Sequence, residues 1–219
     1  MAWSKGTAFA VTEDGWLMTA YHVLADSQGA ALLEFDSTGK EILTPVHNVI
    51  IDSNNDFALI KVDKKMTPVE LFEGFYPVKS GTEIGFMGFP KGETSIFTHD
   101  GIVSRVTEKN GNPNYNLHSF VNRGQSGGPV FVPETGKVIG FVSARFKASE
   151  LPQRVLVSTS ITDDPLMKIL LELKKGQDEI YNVLSEELSQ SSQMGVGVVI
   201  AINKPAISQV ISGYNKDNK

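Results

Sequence analysis

Short apolar runs that end at glycine, asparagine, aspartate or proline recur along this 219-residue chain, and they limit its possible folds more than any other feature. Glycine is frequent, with 20 residues, and turn sequences such as Glu13–Gly15 and Ser37–Lys40 separate the runs. Strands of about four to eight residues between such turns are typical of all-β proteins. The sequence therefore predicts an all-β fold of many short strands.

Charge and cysteine content argue against several classes of function. The net charge is −5 and no basic stripe is visible, so the sequence predicts no nucleic-acid binding. The chain has no cysteine, which excludes disulfides, thiolate metal sites and a cysteine nucleophile. His47, His99 and His118 lack the mutual spacing of metal ligands, so no metal or cofactor is expected.

The sequence also bears on membranes and location. No apolar run is long enough to span a membrane, and residues 1–9 lack the basic and then apolar pattern of a signal peptide. We therefore predict a cytoplasmic protein without a membrane span. A trimmed exported domain would look the same, and the absence of cysteine is compatible with both compartments.

One stretch, Gly124–Val130, carries a serine between glycines and leads through a proline into an apolar run. A serine nucleophile needs an exposed Oγ and backbone N–H groups aimed at the oxyanion that forms on the attacked carbonyl. Flanking glycines keep the backbone open and allow the dihedrals that such a turn requires. Taken alone, the stretch is equally consistent with a glycine-rich turn before a strand. Ser126 is the candidate nucleophile.

Two residues earlier in the chain complete a possible catalytic set. His22 directly follows the predicted strand Trp16–Thr19, and histidine titrates near neutral pH, as a general base must. Asp56 directly precedes an apolar strand, where it could be a turn residue or a buried carboxylate that orients a histidine. Asp52 and Asp63 flank the same strand, and Asp56 is preferred because its strand continues without interruption.

The order His22, Asp56, Ser126 is that of the chymotrypsin-type double barrel. At this point the sequence resembles a known family, the trypsin-like serine peptidases of the HtrA (Deg) type. The resemblance is to the peptidase domain without a PDZ domain. It covers most of residues 4–145 and is carried by five segments in the same order: Gly6–Val23, Asp56–Val62, Val78–Pro90, Gly101–Ser104 and Asn122–Val130.

The resemblance implies a chymotrypsin-like fold of two six-stranded β-barrels with a helical insertion and a C-terminal helix. It places the first barrel at residues 1–66, an inter-barrel linker at 67–77 and the second barrel at 78–213. The insertion occupies 146–193, because Gly195–Lys204 resembles the family's final strand and the start of its helix. A frayed tail at 214–219 follows the helix. An alternative alignment ends the barrel at Val155–Ile161.

The resemblance also assigns roles. It implies a serine endopeptidase in which Ser126 attacks the peptide carbonyl, His22 transfers protons and Asp56 orients His22. The backbone N–H groups of Gly124 and Ser126 are the implied oxyanion hole. Two alternatives share the sequence features: a non-catalytic peptide-binding or scaffold module on the same fold, since fold does not fix function, and an esterase with no protein substrate.

The residues expected to bind substrate surround the nucleophile. The segment 118–123 lines the specificity pocket in this fold and contains no acid, so a preference for Lys or Arg is not expected. Phe120 and Val121 favour a small or apolar residue before the cut. Arg123 and Arg145 would favour an acidic residue if either points inward, and Ser143 is expected to face the substrate backbone.

The insertion carries an apolar pattern of its own. Spacings of three and four predict an amphipathic helix or helical hairpin, which Asp164 and Pro165 would start. The pattern consists of Leu166, Ile169, Leu170, Leu173, Ile180, Val183, Leu184 and Leu188. This stripe either packs on its own barrel or meets a protein partner or another copy of the chain.

Overall fold

The computed structural model describes residues 5–25, 27–90, 93–109, 111–145 and 194–217. The predicted insertion at 146–193 lies outside these residues. The twelve described strands and two described helices follow one another in two groups, one before and one after residue 77. The prediction of a mostly β fold is confirmed.

The first group forms two small antiparallel sheets. One has four strands in the order β1-β2-β6-β5, and the other is the β3–β4 hairpin. The elements are β1 (Phe9–Ala10), β2 (Trp16–Ala20), α1 (Tyr21–Leu24), β3 (Ala31–Phe35), β4 (Glu41–Pro45), β5 (Asn48–Asp52) and β6 (Phe57–Lys61). Every residue of β2 is buried, which explains the continuous apolar run in its sequence.

The second group forms a closed six-stranded barrel in the order β10-β11-β12-β9-β8-β7. Its strands are β7 (Glu83–Gly88), β8 (Phe97–Lys109), β9 (Asn112–Phe120), β10 (Pro129–Phe131), β11 (Val138–Arg145) and β12 (Met194–Ala201), and helix α2 (Lys204–Asp217) follows. Closure pairs both edges of this sheet, so none of its six described strands is left as an edge strand.

The predicted pair of six-stranded barrels is therefore seen as a closed barrel in the second half only. In the first half, the β3–β4 hairpin forms a sheet separate from the other four strands. Ile42 and Leu43 on β4 are exposed, so this hairpin turns part of its apolar surface outward. The hairpin thus lacks the ladder bonds that would join it to the four-stranded sheet, although Leu32 on β3 packs against the core of that sheet.

Helix α2 packs against the two halves at their common core. Ile207 and Ile211 on its buried face join a cluster that contains Trp16 from β2 and Phe141 from β11. Tyr214 meets the Trp16 ring edge-on, with ring centroids 5.5 Å apart. This contact carries the helix past Gly213, the predicted end, to Asp217. The two halves are thereby held at one shared core.

Neither helix in the described part of the chain is long and apolar enough to cross a membrane.

Candidate active site

The pairing of β2 with β6 places His22 beside Asp56. Ala20 at the end of β2 pairs with Phe57 at the start of β6, so the residues just beyond this pair adjoin. The Tyr21 N–H donates to the Asp56 carbonyl at 3.0 Å. Asp56 has φ of +50°, a left-handed conformation that aspartate tolerates better than most residues. This turn directs its carboxylate back towards the short helix α1.

The Asp56 carboxylate holds His22 at two points. Its Oδ2 lies 2.8 Å from His22 Nδ1, and its Oδ1 accepts the His22 backbone N–H at 2.8 Å. Because a carboxylate can only accept, Nδ1 carries the ring proton, and Nε2 of the neutral ring is left as an acceptor. The His22 side chain is 45% exposed and that of Asp56 is 20% exposed. The ring is therefore anchored on its inner side and open on its outer side.

Ser143 on β11 supplies a third donor to Asp56. Its Oγ donates to Asp56 Oδ2 at 2.5 Å, which links the barrel to the first half of the chain. Burial alone would raise the pKa of Asp56. Hydrogen bonds from the His22 ring, the Ser143 hydroxyl and the His22 N–H nevertheless hold that pKa below its ordinary value. Asp56 is thus ionised at neutral pH and is placed to stabilise a positive imidazolium.

Ser126 lies in a loop that packs against the end of β2. A methyl group on the next residue, Gly127, would lie 2.4 Å from Thr19 Oγ1 and 2.9 Å from Ala20 N. A methyl group on Gly6 would touch both Val23, at 2.5 Å, and the Ser126 carbonyl, at 3.1 Å. Thr19, Ala20 and Val23 surround His22 in sequence. The structure therefore brings the loop of Ser126 to the segment that carries His22.

The backbone of this loop is largely fixed by hydrogen bonds. The N–H groups of Gln125, Gly127 and Gly128 donate to Asn122, Val142 and Gln125 carbonyls at 3.2, 2.6 and 2.9 Å. Within the described residues, the N–H groups of Gly124 and Ser126, like that of Arg123, have no acceptor. The N–H groups of both predicted oxyanion donors, Gly124 and Ser126, are therefore left without an acceptor in this part of the structure.

The remaining predicted site residues differ in their surroundings. Phe120 at the end of β9 is half exposed, and Arg123 is exposed. Val121, the residue after β9, is 2% exposed and packs in the core of the barrel. Arg145 ends β11, where its backbone pairs with Gly197.

Two contacts at the site were not predicted from the sequence. Ser143 was expected to face substrate, and its bond to the Asp56 carboxylate was not foreseen. Thr7 was not singled out, yet its N–H donates to the Ser126 carbonyl at 2.8 Å and its hydroxyl donates to the Gly124 carbonyl at 2.7 Å. These partners are 87 and 117 residues apart in sequence, so no local pattern reports them.

Two of the other histidines have different surroundings. His47 Nε2 lies 3.3 Å from Asp63 at the surface, whereas His99 stacks on Phe86 with ring centroids 5.0 Å apart and its buried Nε2 has no hydrogen-bond partner within the described residues. Among the described residues, no group of three or more histidine, aspartate or glutamate side chains is arranged so that it could bind a metal ion.

Comparison with known proteins agrees with this geometry. The family model described as a trypsin-like peptidase domain matches residues 6–141. A probable periplasmic serine endoprotease, DegP-like, from Rhizobium meliloti is 35% identical over 152 residues, which are 67% of this chain and 29% of that protein. A protein of the same description from Pseudomonas fluorescens is 31% identical over 80% of this chain and 36% of its own length. The resemblance to the HtrA type is confirmed.

Solved structures support the fold. The HtrA-type protease AlgW with a decapeptide has a TM-score of 0.60 at 21% identity, covering 94% of this chain and 50% of that one. The Rv3671c protease from M. tuberculosis, in its active form, has a TM-score of 0.54 at 24% identity, covering 64% of this chain and 63% of that one. The chain spans only about a third of the length of the two curated relatives above.

The prediction of a cytoplasmic location is wrong. The relatives from Rhizobium meliloti, Pseudomonas fluorescens and Halomonas elongata are all named periplasmic endoproteases. The absence of cysteine, which suits a reducing cytoplasm, is equally compatible with an oxidising compartment and carries no information on location.

Proposed function

Because the chain belongs to the trypsin-like peptidase domain family, we propose that it is a serine endopeptidase that uses His22, Asp56 and Ser126 as its catalytic triad. The observation that carries the proposal is the anchored His22 ring. Its Nδ1 is held 2.8 Å from an ionised carboxylate, and the Gly124–Gly128 loop packs against the residues next to it. This is the arrangement of base and orienting acid that a serine nucleophile needs.

The reaction proceeds through an acyl-enzyme. Ser126 Oγ attacks the peptide carbonyl while His22 Nε2 takes its proton, and the protonated ring then gives that proton to the leaving amine. Asp56 keeps Nδ1 protonated and stabilises the imidazolium in both transfers. Water then enters, and His22 acts as base a second time to release the acid product and restore Ser126.

The N–H groups of Gly124 and Ser126 bind the oxygen of the attacked carbonyl. Support comes from their lack of an acceptor within the described residues, while the N–H groups of Gln125, Gly127 and Gly128 are bonded. Because this loop is already fixed, the donors need little reorganisation as negative charge develops. Such preorganised donors act strongly in sites from which water is excluded.

The finer architecture belongs to the same proposal. Strands β1–β6 correspond to the first barrel of a chymotrypsin-like pair, with residues 1–66 as that unit, 67–77 as the linker and 78–213 as the second barrel. The cleft between them holds the triad, since His22 and Asp56 come from one half and Ser126 from the other. Residues 214–217, predicted to be a frayed tail, belong to the final helix.

The substrate is a protein or peptide in an exported compartment. One solved HtrA-type relative contains a decapeptide, and the curated relatives are named periplasmic endoproteases. Phe120, Arg123, Ser143 and Arg145 are the proposed substrate contacts. Val121 shapes the pocket wall from inside the barrel core. Cleavage after small or apolar residues is expected, because 118–123 contains no acid that would attract Lys or Arg.

Substitution of Ser126 tests the catalytic proposal. Ser126→Ala is expected to abolish hydrolysis of a peptide library and labelling by a serine-directed phosphonate, with the circular dichroism spectrum unchanged. Ser104→Ala is the matched control, since Ser104 is an exposed barrel serine whose Oγ donates to the Asn116 carbonyl. Wild-type protein that binds peptides but neither cleaves them nor takes the label would be a scaffold module, and one that cleaves only esters would be an esterase.

A further inference from the structure

Thr7 connects three distant parts of the chain around the nucleophile loop. It is 3% exposed and lies between the first described residues and β1. Its N–H donates to the Ser126 carbonyl at 2.8 Å, and its Oγ1 donates to the Gly124 carbonyl at 2.7 Å. The same Oγ1 accepts the Phe89 N–H at 3.0 Å, and the Thr7 carbonyl accepts the Thr19 hydroxyl at 2.7 Å.

The residues that Thr7 holds form a tight turn. The Gln125 N–H donates to the Asn122 carbonyl at 3.2 Å, which closes a four-residue turn. Gly124 in its third position has φ of +93°, whereas Arg123 in its second position does not have positive φ. This combination is the type II turn. A type I turn would rotate the peptide between Arg123 and Gly124 by about half a turn and point the Gly124 N–H elsewhere.

Hydrogen bonds hold both polar groups of the turn's last peptide, which joins Gly124 to Gln125. The Gly124 carbonyl is held by Thr7 Oγ1, and the N–H of the same peptide, from Gln125, is held by the Asn122 carbonyl. Gln125, which is fully buried, also turns its side chain back so that its Oε1 accepts the Asn122 N–H at 2.7 Å. The Gly124 N–H is left as a free donor within the described residues.

We infer that the Thr7 hydroxyl is a positioning group that holds the Asn122–Gln125 turn in the form in which the Gly124 N–H faces the attacked carbonyl oxygen. The inference rests on the proposed peptidase function. Thr7 does not touch substrate. It fixes the peptide between Gly124 and Gln125, and this holds the turn whose preceding peptide carries the Gly124 N–H. Any residue except proline at position 7 supplies the backbone bond to Ser126, but only a hydroxyl both donates to Gly124 and accepts from Phe89.

The test removes the hydroxyl and keeps the backbone. In Thr7→Val we expect kcat on a peptide substrate to fall about 10- to 100-fold, somewhat less than the loss of a whole oxyanion donor, with KM within about twofold of wild type. Thr7→Ser keeps both bonds of the hydroxyl and should retain kcat within about threefold. Thr107→Val is the matched control, because it also removes a threonine hydroxyl from a backbone carbonyl, that of Asn114.

A second measurement does not depend on turnover. Amide exchange at Gln125, whose N–H closes the turn, should be faster in Thr7→Val than in wild type, while exchange at Ile202, bonded to Ile139 in the barrel, is unchanged. If the valine methyl is too tight against the Gly124 carbonyl and the Phe89 N–H, which lie 2.7 and 3.0 Å from Thr7 Oγ1, Thr7→Ala gives the same deletion with less bulk.

The outcomes separate the two proposals. Wild-type kcat together with wild-type exchange at Gln125 in a folded Thr7→Val or Thr7→Ala protein would overturn the positioning role. Equal loss of kcat in Thr7→Ser and Thr7→Val would also overturn it, since the serine hydroxyl restores the bonds. Wild-type protein that takes no phosphonate label would instead remove the peptidase function, and the exchange measurement would still decide whether Thr7 holds the turn.

Discussion

Asp56 is the residue whose chemistry depends most on accepting hydrogen bonds. Its two oxygens accept from the His22 ring, the His22 N–H and the Ser143 hydroxyl. In Asp56→Asn an amide NH2 replaces one acceptor, so the ring must take the opposite tautomer or lose its anchor. We expect kcat to fall by about 10⁴-fold, with the fold retained by circular dichroism.

Asp52→Asn is the matched control for this prediction. Asp52 Oδ1 accepts the backbone N–H groups of Asn54 and Asn55 at 3.1 and 3.2 Å. The Asp52 carboxylate therefore stabilises the turn that follows it in the chain. Asp52→Asn should keep kcat within about threefold of wild type and lower thermal stability slightly. If Asp52→Asn proved the more damaging change to kcat, Asp56 would be the wrong choice of orienting acid.

The hydrogen bond from Ser143 to Asp56 makes part of the free energy of unfolding depend on pH. A carboxylate with a lowered folded pKa adds stability above its unfolded pKa, about 3.9, and loses it as pH falls through the folded pKa. Removing the Ser143 hydroxyl raises the pKa of Asp56 towards its ordinary value. Ser143→Ala should therefore lower the free energy of unfolding by about 1–2 kcal/mol at pH 7 and by less at pH 3. Urea unfolding at the two pH values measures the difference.

Ser119→Ala is the control, because Ser119 Oγ donates at 2.6 Å to the backbone carbonyl of Asp100, a group that does not titrate. Its destabilisation should be the same at both pH values. An equally pH-independent loss in Ser143→Ala would mean that its bond to Asp56 does not set the carboxylate's pKa.

At the residue scale, local sequence context identifies some of the site and not the rest. His22 and Asp56 each adjoin a strand end, and Ser126 lies between glycines, so each could be proposed from its neighbours. Thr7 is an unremarkable threonine in the sequence. Its role at Gly124 arises only when the first strands pack on the barrel, and Ser143 reaches Asp56 for the same reason.

At the element scale, the nucleophile loop is shaped by the close approach of β2. Gly127 has φ of +86°, and an added methyl would lie 2.1 Å from the Thr7 carbonyl. Gly136, in the turn between β10 and β11, has φ of +69° and open space around it. The two glycines share a left-handed backbone and differ in their neighbours.

Alanine substitution of Gly136 and Gly127 tests this difference. Gly136→Ala should cost about 1–2 kcal/mol, the cost of a left-handed alanine, with activity unchanged. Gly127→Ala should cost a further 1–3 kcal/mol from overpacking and displace Ser126, so that turnover is lost even in folded protein. Denaturant unfolding and peptide hydrolysis of both variants measure the two effects. Equal stability and equal turnover would show that the loop can move away from β2 without penalty.

The element boundaries show why sequence periodicity falls short. The final helix was expected to end at Gly213 with a frayed tail after it, because chain ends are commonly poorly ordered. It continues because Tyr214 gains an aromatic contact with Trp16, nearly 200 residues earlier in the chain. The closure of the second barrel and the separate β3–β4 hairpin likewise depend on pairings between strands, which the pattern within one strand does not report.

At the scale of the whole molecule, the connection between β11 and β12 is the largest feature that the barrel does not explain. Arg145 at the end of β11 pairs with Gly197, three residues inside β12, so the two strands that the connection joins are neighbours in the barrel. The described part of β11 ends two residues beyond Ser143. A short linker can join the two strands there without altering their register.

Replacing Pro165–Leu188 by a short Gly/Ser linker tests what the predicted helical segment does. We expect thermal stability to change little, because the six barrel strands and their core lie outside the deleted residues. Turnover, cleavage pattern or size in solution should change more, since the predicted apolar stripe needs a partner surface and the connection that carries it follows Arg145, two residues beyond Ser143. Calorimetry, peptide cleavage mapping and light scattering measure the three. A large loss of stability with unchanged turnover and unchanged size would show instead that the stripe packs on its own barrel.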